Sequence, residues 1–211
     1  MAVPDIHTRL DLVDDVVALP GRELRLLRPR DAEALLTEAA FENEEFLPYW
    51  ASVWPSARVL AEMLSDCSLD GVPVLEVGCG LGVPSIVAAL QGARVLATDW
   101  AADAIELLAI NAARNGAALE AARLDWWAPG RAVAATPWPL VLAADVLYER
   151  RNVDVLLDLL PRLTGRRGEV LLADPGRATA QRFLEAARER WRISVLAQEG
   201  GVTVRRLRAR R

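Results

Sequence analysis

The sequence predicts an α/β fold in which a mostly parallel, seven-stranded sheet carries helices on both faces and ends in an antiparallel hairpin. Two observations predict it. Short, continuously apolar segments alternate with segments whose apolar residues recur at helical spacing, which is typical of a parallel sheet covered by helices. The last two apolar segments instead face each other across a glycine-containing turn, as the strands of a hairpin do.

Each element has its own local signal. Five parallel strands are expected at residues 72–77, 94–99, 120–124, 140–144 and 169–173. Helices are expected between them, near residues 83–91, 102–115, 152–163 and 179–189. In the second helix, Ile105, Leu108 and Ala112 recur on one face, and Asn152 is a suitable N-cap for the third. The terminal hairpin is expected to pair residues 191–196 with residues 202–207.

The residues before this core form a region of their own. Residues 16–19 and 24–27 flank a Pro-Gly turn and predict a hairpin, and residues 31–42 predict a short helix. Pro55 is placed to open a helix that runs to about residue 65. We therefore expect an N-terminal extension, residues 1–46, that packs on a core domain of residues 47–211.

Composition excludes several classes of protein. The 211 residues are 53% hydrophobic, enough for one core, and no apolar run is long enough to span a membrane. The chain opens without the basic segment of a signal peptide, and its two cysteines suit a reducing compartment, so a cytoplasmic protein is expected. His7 is the only histidine, which argues against metal catalysis and a histidine-based triad. We expect a monomer that binds no membrane.

Charge argues against a nucleic-acid partner. The net charge is −4, and the basic tail at residues 205–211 is interpreted as a solvated strand end rather than an RNA contact. All 25 basic residues are arginine, so the chain contains no lysine that it could modify on itself. Together with the many alanines, this composition indicates a GC-rich genome, and we expect a bacterial source.

The glycine turn after the first core strand is the most informative segment. It has glycines at 78, 80 and 82, with Glu76 two places before the first. A dinucleotide fingerprint would need a further glycine where Val83 stands. Because glycine lacks a Cβ, backbone at Gly78 and Gly80 can approach a ligand closely. Asp99 ends the next strand, where a carboxylate can accept both hydroxyls of a ribose, so a nucleoside-containing cofactor is predicted.

Further chemistry-bearing residues lie at predicted strand ends and loop edges. Aromatic rings stack on flat bases such as adenine, and three tryptophans at these edges favour ligand contact, whereas Trp127, Trp138 and Trp191 are interpreted as packing. The edge residues are Trp54, Trp100, Asp125 with Trp126, Asp145 with Tyr148, Asp174 to Arg177, and Asn111 with Asn115 on the second helix.

These motifs together resemble a known family. The acid followed by G-x-G-x-G resembles motif I of class I S-adenosylmethionine (SAM) methyltransferases, whose Rossmann-like core has seven strands. Asp145-x-x-Tyr148 resembles a hallmark of methyltransferase family 16, the protein-lysine group. The segments 48–55 and 174–177 are most similar to the electron transfer flavoprotein β-subunit lysine methyltransferases. The chain departs from them after Pro55, where Ser56 and Ala57 replace glycines.

The resemblance implies a role for each site residue. It implies SAM as cofactor, with S-adenosylhomocysteine as product, and a protein substrate with an accessible lysine. Asp145 and Tyr148 are then the catalytic residues facing the substrate amine. The cofactor would be bound by Trp54 at its methionine end, Glu76, the turn of Gly78, Cys79 and Gly80, Asp99 at the ribose, and Trp100, Asp125, Trp126 and Ala144 around the adenine and pocket wall.

Three readings of function remain open from sequence. The first is a protein-lysine N-methyltransferase. An acidic run at residues 41–46 would favour a cationic substrate such as lysine, and Arg177 would meet an acidic surface of the partner protein. The second is a small-molecule N-methyltransferase acting on a nicotinamide-like ring or an amine. The third is a non-catalytic SAM-binding interaction protein. The short N-terminal region offers little lid, which favours the first.

Overall fold

The computed structural model describes residues 5–36, 48–130 and 137–210. Its helices are α1 (Ile6–Arg9), α2 (Pro55–Ser65), α3 (Val83–Leu90), α4 (Ala102–Arg114), α5 (Arg150–Thr164) and α6 (Ala178–Ala187), with 3₁₀ turns at Glu33–Leu35 and Tyr49–Ala51. Its strands are β1 (Leu12–Leu19), β2 (Arg22–Pro29), β3 (Pro73–Val77), β4 (Arg94–Asp99), β5 (Glu120–Arg123), β6 (Leu140–Ala144), β7 (Glu169–Asp174), β8 (Trp191–Glu199) and β9 (Val202–Ala209).

The predicted fold class is confirmed. A seven-stranded sheet has the order β5-β4-β3-β6-β7-β9-β8, in which β9 pairs antiparallel with both β7 and β8. The other strands are parallel neighbours. The strand order reverses between β3 and β6, and the carboxyl ends of strands beside such a reversal are where ligands of open α/β sheets bind.

Apolar side chains cover both faces of the sheet. On one face, α2, α3 and α4 pack on residues such as Val74 and Leu142. On the other, α5 and α6 pack on residues such as Val141 and Leu172, with Phe183 of α6 fully buried. Because β3 and β6 are covered on both sides, residues 74–77 and 140–144 are all buried.

The β1–β2 hairpin is attached to the core through two asparagines of α4. The Asn111 side chain accepts from the backbone N–H of Leu27 at 2.7 Å and donates to its carbonyl at 3.0 Å. Asn115 makes the same pair of bonds with Arg25 at 2.9 Å each. The sequence grouped both asparagines with the residues at the predicted ligand edge, and the structure corrects this, because their amides pair with the backbone of β2 instead.

We expect Asn111→Ala to lower the free energy of unfolding by about 2–4 kcal/mol, since it leaves a buried N–H and a buried carbonyl unpaired. Asn111 is fully buried, whereas Asn115 is only half-buried and water can replace its amide. Asn115→Ala is therefore the matched control, with an expected loss of about 1 kcal/mol or less. Urea denaturation of the two variants measures the difference, and equal losses would show that burial does not decide the contribution.

Other local expectations need revision. The short helix expected at residues 31–42 is seen only as the 3₁₀ turn Glu33–Leu35, and residues 37–47, which include the acidic run, lie outside the described residues. Asn152 is not an N-cap, since α5 begins two residues earlier with Glu149 in that position. The buried Asn152 amide instead donates to the Val146 carbonyl at 3.0 Å. No helix in the described part of the chain is long and apolar enough to cross a membrane.

Candidate cofactor pocket and active site

A cavity of about 1060 Å³ opens at the carboxyl ends of β3, β4 and β6, beside the reversal in strand order. A cavity of this volume can hold a ligand at the upper end of the size range of small molecules and cofactors. All twelve residues to which the family resemblance assigned a role line this cavity, from Trp54 through the glycine turn to Tyr148. The structure thus brings them together, while the role of each one stays a prediction.

The glycine turn forms the floor of the cavity because side chains are excluded there. Gly78 has φ +68°, and a Cβ on it would lie 3.1 Å from Val146 Cγ1 and 3.2 Å from Trp126 Cζ2. Gly80 has φ +50°, and its Cβ would lie 3.2 Å from the Trp50 carbonyl oxygen. Between them the buried Cys79 donates its backbone N–H to Thr98 at 2.9 Å, which ties the turn to the end of β4.

Asp99 is held at the end of β4 by backbone donors. Its Oδ2 accepts from the Gly80 N–H at 2.9 Å and its Oδ1 from the Ala101 N–H at 3.0 Å. Burial raises the pKa of Asp99 above its ordinary value, and these N–H groups oppose that shift. A carboxylate has about four accepting positions, so each oxygen can still accept a hydroxyl group from a ligand.

Glu76 lies buried beneath the glycine turn. Its Oε2 accepts a hydrogen bond from the Ser85 hydroxyl at the start of α3, and its carbonyl accepts from Thr98 Oγ1 at 2.6 Å. Burial raises the pKa of Glu76 to about 8, although the Ser85 hydrogen bonds oppose the shift. Glu76 is therefore mostly protonated at neutral pH in the cofactor-free protein.

This raised pKa makes stability depend on pH. Below about pH 4.5 Glu76 is protonated in both folded and unfolded chains, and between about 4.5 and 8 only the unfolded chain loses the proton. We expect the free energy of unfolding of the cofactor-free protein to fall, relative to Glu76→Gln, by up to about 5 kcal/mol as pH rises through that window. Urea midpoints at pH 5.5, 7 and 8.5 measure it, with the exposed Glu120→Gln as control. Parallel curves for wild type and Glu76→Gln would contradict it.

Tryptophans border the side of the cavity next to β4 and β5. Trp126 is half-buried, Trp100 is 36% exposed, and Asp125 is exposed and accepts from the Trp127 N–H at 2.8 Å. Trp127 was predicted to be packing, which is wrong: it is 50% exposed and lines the cavity, with the Arg151 guanidinium 5.5 Å from its ring centre. Trp138 and Trp191 do pack against the core.

Asp145 and Arg177 form an ion pair on the other side of the cavity. Arg177 Nη2 lies 2.6 Å and Nε 3.1 Å from Asp145 Oδ1. The two residues follow the adjacent parallel strands β6 and β7, so their meeting follows from the sheet order. Arg177 had been expected to meet a partner surface, and the structure corrects this by placing its guanidinium on a residue of the site itself.

Aromatic residues surround the opening beside this ion pair. The Tyr49 and Tyr148 rings meet edge to face at 4.9 Å, and Tyr49 and Trp54 do so at 6.1 Å. Trp54 Nε1 donates to the Tyr49 carbonyl at 2.7 Å, while the Arg177 guanidinium lies 5.9 Å from the Trp54 ring centre. Tyr49 and Tyr148 are each 38% exposed, so the opening is accessible from solvent.

Sequence reasoning missed several lining residues. Tyr49 was seen only as part of a motif, and Glu149, Arg151 and Asn152 were assigned no part in the cavity, although all of them line it. Glu149 and Arg151 form an ion pair, and the Asn152 side chain is hydrogen bonded to Tyr148. Their position just after the Asp145 strand end is the signal that could have found them.

The fold and pocket define a class I methyltransferase architecture, and comparison identifies the family. Residues 41–190 match the model of methyltransferase family 16, described as lysine methyltransferase. The chain belongs to this family.

Individual relatives agree with that assignment. The chain is 37% identical over 136 residues to the electron transfer flavoprotein beta subunit lysine methyltransferase of Xenopus laevis, covering 62% of this chain and 54% of that protein. It is 34% identical over 145 residues to the ribosomal protein L11 methyltransferase of Pseudomonas putida strain GB-1, covering 65% and 47%. The chain thus spans about half the length of these curated relatives.

A solved structure supports the fold. The 16S rRNA N2 G1207 methyltransferase of T. thermophilus, in complex with AdoMet and guanosine, superimposes with a TM-score of 0.70 at 14% identity. The superposition covers 94% of this chain and 51% of that one. At this identity the likeness concerns the fold alone.

The cavity residues fit the family's cofactor, SAM. Asp99 keeps accepting capacity for ribose hydroxyls, and the Gly78 turn provides a floor that a Cβ would fill. Glu76 lies beneath that floor and lines the cavity. Within the described residues, no group of three or more His, Cys, Asp or Glu side chains could hold a metal ion.

Proposed function

We propose that this chain is a SAM-dependent N-methyltransferase that modifies lysine side chains of a protein substrate. The observation that supports it most is the placement of Asp145, a 7% exposed carboxylate held by Arg177 where the cofactor cavity meets an open aromatic rim. Asp145 Oδ1 takes both arginine bonds, and no hydrogen bond from the described residues reaches Oδ2. That oxygen can accept from a substrate amine.

The reaction requires alignment more than acid–base chemistry. SAM supplies a methyl group on an activated sulfonium; the amine lone pair forms the new C–N bond as the C–S bond breaks and its electrons pass to sulfur. The chain's part is to align the amine with that methyl group. We assign this alignment to Asp145 and Tyr148. Burial raises the pKa of Tyr148 to about 12, so it acts as a neutral hydroxyl and not as a base.

The cofactor contacts are proposed as the sequence placed them. Asp99 would hold the ribose, Trp100, Asp125 and Trp126 would border the adenine, and Ala144 would line the wall. Gly78, Cys79 and Gly80 would form the floor, with Glu76 beneath it and Trp54 at the methionine end. What supports these roles is that all ten line one cavity of suitable size.

A protein substrate is favoured over a small molecule by the opening. Tyr49 and Tyr148 on one side and Trp127 on the other are 38–50% exposed, so a side chain on a large protein can enter. Both curated relatives are named for the modification of a protein. We propose the electron transfer flavoprotein beta subunit as the first substrate to test.

The cellular setting of the protein is a separate proposal. Both cysteines are free thiols, which supports a reducing, cytoplasmic compartment. We further propose a bacterial monomer that binds neither nucleic acid nor membrane, supported by the net charge of −4. The division into residues 1–46 and 47–211 is likewise a proposal, supported by the separate two-stranded sheet of β1 and β2.

A label-transfer assay tests the function. The enzyme is incubated with methyl-labelled SAM and a bacterial lysate, with electron transfer flavoprotein as a purified second substrate. We expect label in a protein band, and none with Asp145→Asn. Label confined to the small-molecule fraction would overturn the proposal in favour of the small-molecule reading, and no transfer despite SAM binding would indicate a non-catalytic protein.

A further inference from the structure

Asp145 is held in an unusual backbone conformation. Its φ is +57°, and it is the sole non-glycine residue with positive φ among those the structure describes. Its N–H donates to the Ala173 carbonyl at 2.9 Å, which links the end of β6 to β7. A non-glycine residue in this region costs about 1–2 kcal/mol and is kept where its surroundings fix it. The position of the carboxylate is therefore specified by the fold.

Arg177 is fixed at both ends. Asp174 Oδ1 accepts from the Gly176 N–H at 2.6 Å and the Arg177 N–H at 2.9 Å, which sets the backbone before α6. At the other end the guanidinium bonds Asp145 Oδ1 and lies over the Trp54 ring. An arginine anchored in this way is a fixed positive charge beside Asp145 and not a mobile surface side chain.

The charge of Asp145 would otherwise oppose the reaction. A lysine amine has a pKa of about 10.4 in water and must lose its proton before it can attack the methyl group. A carboxylate within about 4–6 Å stabilises the ammonium form and so keeps the proton on. With Arg177 2.6 Å away, the Asp145 carboxylate belongs to a neutral pair that can accept a hydrogen bond while attracting the ammonium form less.

Two other carboxylates near the cavity have hydrogen-bond or ion-pair partners of their own. Glu149 pairs with Arg151, and Asp99 accepts two backbone N–H groups. Burial raises the pKa of Asp174, which packs behind the ion pair. The remaining titratable groups among the described residues that line the cavity are Tyr49, Glu76, Cys79, Arg123, Asp125 and Tyr148.

We propose that Arg177 is a positioning residue that orients the Asp145 carboxylate and cancels its charge, so that the site admits the substrate amine in its uncharged form. The inference rests on the proposed amine N-methyltransferase function. Arg177 then acts on the reaction through Asp145 and does not itself contact the reacting atoms.

The kinetic test compares Arg177→Met with Arg177→Lys on the protein that the label-transfer assay identifies. In Arg177→Met, we expect the acidic limb of the kcat profile to move up by about one pH unit, so that kcat at pH 7.5 falls about tenfold. KM should change less than about twofold, because the ammonium form still binds. Arg177→Lys keeps the charge and should restore most of the rate. An unmoved profile, or a loss that is equal at every pH, would overturn the proposal.

A binding test needs no turnover. n-Butylamine, a lysine side-chain probe, is titrated by ligand-observed NMR into protein saturated with S-adenosylhomocysteine, at pH 7.5 and pH 10.5. Wild type should bind it better at the higher pH, and Arg177→Met should lose or reverse that preference. Asp145→Asn/Arg177→Met, which has no charge to compensate, should regain it. The same pH dependence in wild type and Arg177→Met would overturn the proposal.

The two tests separate this inference from the function on which it rests. If wild type methylates no protein at any pH, the lysine methyltransferase proposal fails, while the n-butylamine titration still decides whether Arg177 sets the protonation preference of the site. The S-adenosylhomocysteine affinity of each variant should stay within about twofold of wild type, which verifies that the cavity is intact.

Discussion

Asp145→Asn is expected to lower kcat by at least about 100-fold while SAM affinity changes less than about threefold. The loss reflects the carboxylate's part in aligning and stabilising the attacking amine. Asparagine is the appropriate substitution because it keeps the side-chain shape and tolerates the positive φ of this position, which alanine does less well. Single-turnover methyl transfer gives the rate, and calorimetric titration with SAM gives the affinity.

Comparing kcat with SAM affinity in this variant shows whether Asp145 acts on the substrate amine or on the cofactor. Asp145 lies beside Arg177 at the rim, and no backbone donor that holds Asp99 contacts it, so the variant should leave the ribose end of the cavity unchanged. Reduced SAM affinity together with retained turnover would contradict the assignment and place Asp145 among the cofactor ligands.

Gly78→Ala is expected to weaken SAM binding by more than about tenfold. The added Cβ would lie 3.1–3.2 Å from Val146 and Trp126, so both side chains must shift by a few tenths of an ångström. The methyl group also stands on the floor against which the cofactor is proposed to pack. Turnover at saturating SAM should recover in part, because Asp145 and Tyr148 are untouched. SAM titration and the KM for SAM measure the effect.

Gly116→Ala is the matched control. Gly116 has φ +67°, nearly the same as Gly78, but a Cβ on it meets no atom within 4 Å. It should therefore show only the cost of an alanine at positive φ, about 1–2 kcal/mol of stability, with SAM affinity unchanged. If Gly78→Ala binds SAM as well as Gly116→Ala does, the glycine turn is not the floor of the cofactor site.

The fold was largely predictable because its signals are local. Continuous apolar runs gave β3, β4, β6 and β7 to within one residue, and the glycines after Glu199 gave the β8–β9 hairpin. Errors occurred where a polar residue had a long-range partner: Asn111 and Asn115 bond the β2 edge, more than 80 residues away. The spacing of apolar residues along the sequence carries no information about which distant backbone groups these asparagines bond.

The site was predictable in position more than in contacts. Strand ends meet at one edge of a sheet, so the residues after β3, β4 and β6 could be collected before the structure was known. The Asp145–Arg177 pair, 32 residues apart, also depends on side-chain directions. These are set by the positive φ of Asp145 and by the two N–H groups of Gly176 and Arg177 that donate to the Asp174 carboxylate. Trp127 was wrongly predicted to pack in the core, because of the two adjacent tryptophans it is Trp126 that packs against the core.

The most direct test of lysine methylation is the identity of the methylated amino acid. After reaction with labelled SAM, the substrate protein is hydrolysed in acid and its amino acids are separated. We predict that the label co-migrates with Nε-methylated lysine, and because this chain contains no lysine, such label can come only from the substrate. Label in another amino acid, or in no protein hydrolysate at all, would contradict a protein-lysine methyltransferase.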